Sequence, residues 1–173
     1  MTPEVWDKLR EFFTTDDGSL PEVCIRFDDG VAVSKGYALL RSRARRVVTE
    51  DPTFWSVTHG ENRAIDSVAN AADLVLSGEA ESFHLVLGGI EIAGTALPDL
   101  GVRVHKDELD LDYRMGKDWG EAEVEAFFTL IAELCEQDPA SSVSLEDGRS
   151  PEAEKRFGDI WREWVEQRAP EES

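Results

Sequence analysis

The sequence predicts a single α+β domain: a mostly antiparallel central sheet of about five to seven strands, with about five helices packed on one face and at the edges. Three observations lead there. Apolar residues recur at helical spacing in segments at both ends of the chain and between them. Four strand-like segments crowd residues 82–113, and their linkers are too short for crossover helices, so these strands must be antiparallel neighbours. The 173 residues are 41% hydrophobic and 9% aromatic, enough for one ordinary core and too much for a disordered acidic chain. No repeat or dividing linker is visible, so residues 1–173 read as one domain with a frayed tail at 169–173.

Residues 2–14 are the first predicted helix. Thr2 can cap it, Pro3 suits the first helical position, Glu4 favours the positive end, and Val5, Trp6, Leu9, Phe12 and Phe13 form one apolar face. Asp16-Asp17-Gly18-Ser19 stops it. Residues 22–27 alternate, with Val23, Ile25 and Phe27 on one side and Glu22, Cys24 and Arg26 on the other, a strand ended by the Asp28-Asp29-Gly30 turn. From Val33 the period becomes helical. Val33, Tyr37, Leu40, Ala44 and Val47 line one stripe, which assigns Arg41, Arg43, Arg45 and Arg46 to the wet side of that helix.

After the Asp51-Pro52 breaker, residues 53–57 read as a short strand and 59–62 as a turn. The next helix carries Ile65, Val68, Ala72, Val75 and Leu76 on one face and ends at Gly78, a left-handed cap. Strands follow at 82–87, 90–95, 102–105 and 108–113. In the last, Leu109, Leu111 and Tyr113 face the core while Glu108, Asp110 and Asp112 face water. Asp118, with Glu121 three residues on, caps a helix whose stripe is Val124, Phe127, Phe128, Ile131, Leu134 and Cys135. Residues 142–145 form a final strand. Ser150-Pro151-Glu152 then opens a last helix that buries Phe157, Ile160, Trp161, Trp164 and Val165.

Charge narrows the function. The chain has 18 basic and 37 acidic residues, a net of −19, and the acid is concentrated late, with 16 acids against 5 bases after residue 117. Such a field repels phosphate backbones and anionic lipid and draws in a cationic partner. No nucleic acid and no membrane are expected as partners. With no run of about 20 apolar residues and no apolar core in the N-terminal segment, the expected location is the cytoplasm.

Most catalytic and metal-binding motifs are missing. His59, His84 and His105 stand far apart and in no H-E-x-x-H context, and His59-Gly60-Glu61 lacks the P-C-x-x-C partner of zinc deaminases. Glu108, Asp110 and Asp112 share a strand face, a geometry that some nucleases use for magnesium, but lack an EF-hand's spacing and glycine, so they read first as a solvated face, then as a docking face and last as a metal site. There is no G-x-S-x-G, no G-x-G-x-x-G and no Walker A. Cys24 and Cys135 sit in apolar runs and read as packing. No catalytic residue, metal or cofactor is expected. The alternative is a small hydrolase or metal-dependent enzyme whose site is assembled from scattered acids and histidines.

Tryptophans divide by context. Trp6, Trp161 and Trp164 lie on apolar helix stripes, whereas Trp55 and Trp119 stand beside turns, where an exposed aromatic can anchor a protein interface. The segment Tyr113-Arg114-Met115-Gly116-Lys117-Asp118-Trp119 mixes the residue types that interfaces favour.

This combination of acidity, size and architecture resembles the small immunity proteins encoded beside bacterial polymorphic toxins. The residues that carry the resemblance are Asp51-Pro52-Thr53-Phe54-Trp55 and Leu111-Asp112-Tyr113-Arg114 through Trp119, and it spans roughly residues 33–145. It implies a non-enzymatic protein that binds a cognate toxin and blocks its active site. The expected partner is a basic protein, met by a monomer or homodimer. Glu108, Asp110, Asp112, Glu121, Glu123 and Glu125 would supply the field, and Trp55, Tyr113, Arg114 and Trp119 the contacts.

Overall fold

The computed structural model describes residues 1–146, 148 and 150–168; the expected frayed tail at 169–173 lies outside them. The chain runs α1 (Pro3–Leu9), α2 (Glu11–Thr14), β1 (Glu22–Arg26), α3 (Gly30–Arg43), β2 (Arg46–Val47), β3 (Thr53–Ser56) and β4 (Glu61–Ala64). A 3-10 turn (Ile65–Ser67) leads to α4 (Ala71–Ser77), β5 (Phe83–Gly88), β6 (Glu91–Ile92), β7 (Thr95–Ala96), β8 (Leu100–Val104) and β9 (Glu108–Tyr113). The last elements are α5 (Glu121–Cys135), β10 (Ser142–Glu146) and α6 (Pro151–Arg168).

Among the described residues six strands form the main sheet in the order β10-β1-β9-β8-β5-β2, each pairing antiparallel. The expected α+β class and antiparallel sheet are therefore what the chain adopts. β5, β8 and β9 are the antiparallel neighbours that their short linkers demanded. Between β5 and β8 the expected strand at 90–95 is instead a two-stranded β6–β7 hairpin outside the main sheet. The reason is the turn: Ala93 and Gly94 both take positive φ (50° and 84°), which folds the segment back on itself within four residues.

One face of the sheet is apolar. Val23 and Ile25, Leu109, Leu111 and Tyr113, Val102 and Val104, and Leu85 and Leu87 are all buried on it. The helices cover that face. Phe13 of α2 stacks on Tyr113 at 4.8 Å, Tyr37 of α3 meets Phe83 edge-on at 5.3 Å, and Phe127 of α5 meets Tyr113 at 5.7 Å. α6 then packs on α5 through Trp161 and Trp164 against Phe128. These side chains belong to one continuous hydrophobic cluster.

Several element boundaries differ from the sequence reading for local reasons. The first helix is interrupted at Arg10, which keeps helical angles but divides α1 from α2. α3 begins three residues early because Asp29 accepts a hydrogen bond from Val31 N and so caps it. It also ends at Arg43, so Ala44 and Val47 leave the stripe, Arg45 lies in a connection and Arg46 on edge strand β2. The region expected as one helix after residue 64 is a 3-10 turn followed by α4, which Asn70 caps through Ala72 N. Gly78 closes α4 with the expected left-handed cap (φ 81°). The capping box of α5 lies two residues beyond the expected one: Gly120 N donates to Glu123 Oε2 at 3.0 Å. Among the described residues no helix is long and apolar enough to cross a membrane.

Candidate functional site on the open face of the sheet

Strand alternation sends polar residues to the face that the helices leave open. Across it, Cys24 on β1 stands opposite Asp110 on β9, Asp110 opposite Arg103 on β8, and Arg103 opposite His84 on β5. The neighbouring row is Glu22, Asp112, Gly101 and Val86. On the other side Arg26 faces Glu108. Acids of β9 thus meet histidines from β5 and from just after β8, with Cys24 of β1 alongside, a convergence that no contiguous motif announces.

Two carboxylate–histidine pairs organise this face. His84 Nε2 donates to Asp112 Oδ2 at 2.6 Å, and the carboxylate lies across Gly101 to reach it, since a Cβ at that glycine would fall 2.0 Å from Asp112 Oδ2. His105 Nε2 lies 2.9 Å from Asp110 Oδ2, and Ser82 Oγ lies 3.0 Å from His105 Nδ1. With Nε2 donating to Asp110, the neutral ring accepts from Ser82 at Nδ1. Glu108 is held by Arg26 through Nε (3.2 Å) and Nη2 (3.1 Å).

Asp110 departs from the expectation of a wet carboxylate. It is only 5% exposed, and its Oδ1 is buried with no hydrogen-bond partner among the described residues. Burial first, and then the charge of Glu108, push its carboxyl above the ordinary range, with a hydrogen bond from the Cys24 thiol and then His105 pulling the other way. Beside it Cys24 is 3% exposed, and its weak S–H lies between the Asp110 carboxylate and, 4.0 Å away, the carbonyl oxygen of Glu22. Burial, followed by the Asp110 charge, raises the thiol well above its usual value, which keeps it protonated and unreactive as a nucleophile. Donor atoms of Cys24, Glu108 and Asp110 lie within 4.8 Å of one another, and so do those of Glu22, Cys24 and Glu146. Among the described residues these are the groups able to hold a cation.

The other expected contact residues scatter. Tyr113 and Trp119 are buried, at 1% and 3% exposure, which corrects the reading of Trp119 as an exposed anchor. Tyr113 donates from its hydroxyl to Phe12 O at 2.9 Å, and Trp119 Nε1 donates to Arg114 O at 2.8 Å. The turn before α5 points these rings inward because Phe13 and Phe127 offer them an aromatic pocket. Arg114, Lys117 and Asp118 point outward instead. Together with Asp16, Asp99 and Glu123 they line a cleft of about 950 Å³.

Glu121 is exposed, Glu123 caps its own helix, and Glu125 turns to α6, accepting from Trp164 Nε1 at 2.9 Å and pairing with Arg168. Residues two apart on a helix point about 200° apart, so Glu123 points away from Glu121 and Glu125, which lie four apart on one face. All three lie on the helical layer, away from the acids of β9. Of the expected anchors, Trp55 alone stands out to solvent, at 41% exposure.

The arginine cluster is neutralised within the fold. Arg41 pairs with Asp66 (2.7 Å), Arg43 with Glu133, Arg45 with Glu91 and Arg46 with Asp99 (each 2.8 Å). No protein-family model matches the chain, and no curated protein or solved structure matches it either.

Proposed function

We propose that the protein is a non-enzymatic, acidic protein-binding protein that neutralises a cationic partner, of the kind an immunity protein or nuclease inhibitor would meet. The observation that carries the reading is Trp55, a large aromatic exposed at 41% on the β3–β4 hairpin. Exposed acids adjoin it. Glu81 N donates to Trp55 O and Val57 N donates to Glu79 O, so both glutamates lie on the segment paired alongside Trp55. An aromatic beside carboxylates suits a lysine or arginine of a basic partner, through charge attraction and through the ring face. The internal pairing of Arg41, Arg43, Arg45 and Arg46 leaves the net −19 to act outward.

The test is binding to the product of the neighbouring gene, followed by surface plasmon resonance at low and high salt. The expected complex associates about tenfold or more slowly as salt rises from about 0.05 to about 0.3 M, and Trp55→Ala weakens it. No complex, or one indifferent to both salt and Trp55→Ala, overturns the reading.

One observation favours a second reading, hydrolysis by a serine nucleophile: Ser82, His105 and Asp110 form a continuous hydrogen-bonded chain at 3.0 and 2.9 Å. In that reading His105 takes the Ser82 proton and Asp110 orients the ring. A fluorophosphonate probe that labels Ser82 and fails to label the His105→Asn variant supports it. An unlabelled native protein removes it.

A further inference from the structure

We propose that Cys24, Glu108 and Asp110 form a binding site for a thiophilic divalent ion of the zinc class, on the open face of the sheet. The inference is independent of partner binding. It starts from a poorly satisfied oxygen: Asp110 is 95% removed from solvent and its Oδ1 meets no regular hydrogen-bond donor among the described residues, with only the weak S–H of Cys24 beside the carboxylate. An unpartnered carboxylate oxygen in such a place is destabilising by itself. A cation resolves it, and the donors that a cation needs are already gathered, with Cys24 Sγ, a Glu108 oxygen and an Asp110 oxygen all within 4.8 Å of one another.

The supporting layer has the form that metal sites use. Asp110 presents one oxygen to His105 Nε2 at 2.9 Å and keeps the other for the ion, and His105 is itself fixed by Ser82 at 3.0 Å. Such outer hydrogen bonds orient the ligating carboxylate. On the far side of Cys24, Glu22 and Glu146 add negative potential within 4.8 Å of the sulfur. The rim is Glu108, whose side chain is 19% exposed and, among the described residues, held by the exposed Arg26, so an ion enters by displacing a surface arginine.

The donor set decides the class of ion. One sulfur with two carboxylates suits a borderline-soft ion of small radius, with a water completing four ligands, and is poor for magnesium or calcium, which take oxygen alone. Asp112, which belongs to the same strand face, takes no part, because it is drawn across Gly101 to His84. When the ion binds, it replaces the thiol proton of Cys24, and that proton leaves to solvent.

The test uses the reduced full chain with cobalt(II) and zinc(II) as probes. One equivalent of cobalt is expected to give the near-ultraviolet absorption of a thiolate–cobalt bond, and zinc is expected to displace it. The band survives Cys135→Ser, disappears in Cys24→Ser and Asp110→Asn, and needs about tenfold or more cobalt in His105→Asn. Should Asp110→Asn not fold, Glu108→Gln at the rim takes its place. No thiolate band in the native chain, or an undiminished band in Cys24→Ser, overturns the assignment.

Discussion

The carboxylate of Asp112 reaches His84 at 2.6 Å by lying over Gly101, the residue that occupies the intervening strand β8. The bridge ties β9 to β5 across a strand that contributes no side chain to it. Gly101→Ala places a methyl group where the carboxylate now lies, so Asp112 must swing away and the bridge must break. The expected cost is about 1–3 kcal/mol, the usual range for forcing an extra carbon into a filled space. Urea unfolding of Gly101→Ala checks it. A variant as stable as the native chain would mean that the bridge contributes nothing.

Trp119 and Trp55 look alike in the sequence, yet they predict opposite results. Trp119 is packed against Phe13 at 5.1 Å, Tyr113 at 5.2 Å and Phe127 at 5.5 Å, so Trp119→Ala is expected to lose about 3–5 kcal/mol. Trp55→Ala, at an exposed site, is expected to change stability by less than about 0.5 kcal/mol. Chemical denaturation of the two variants side by side measures the difference.

Asp138 gathers the start of α3 from a distance. Its Oδ2 accepts from Asp28 N at 2.7 Å and Asp29 N at 3.0 Å, and its Oδ1 accepts from Ala140 N at 3.0 Å. The backbone hydrogen bonds from Asp29 and Ala140 hold its carboxyl below the ordinary value of 3.8. A carboxyl depressed in the folded chain contributes stability that is complete above its unfolded value and is lost as pH falls through the folded one. Asp138→Asn is therefore expected to destabilise the protein at neutral pH, with the gap to the native chain closing below about pH 4. Thermal unfolding from pH 7 to pH 2.5 follows it, and a gap that does not change with pH contradicts the linkage.

Asn70 joins two helices with one amide. Its oxygen caps α4 at Ala72 N (3.0 Å), and its nitrogen donates to Ser34 Oγ of α3 (2.9 Å). Asn70→Ala removes both and is expected to cost about 1–2 kcal/mol. Asn70→Asp keeps the capping oxygen and loses the donor, so it is expected to fall between. Equilibrium unfolding ranks the three proteins.

Periodicity along the chain determined the α+β class, the antiparallel run of β5, β8 and β9, and the apolar faces of α5 and α6, because a strand or helix that buries one face must repeat its apolar residues at 2 or 3.6. Local chemistry likewise marked Gly78 as a cap and Asp28-Asp29-Gly30 as the end of β1, although Asp29's second role as the cap of α3 needed the backbone to show it. Only the tertiary structure decided the rest. Cys24 meets Asp110 because β1 inserts between β9 and β10, a pairing over 86 residues of sequence that no spacing rule encodes. Alternation correctly sent Asp110 and Asp112 to the face opposite Leu109 and Leu111, but it could not say that neighbouring strands would bury one of them and draw the other across Gly101 to a histidine. Alternation fixes the side of the sheet, whereas burial and partners on that side depend on which strands are adjacent.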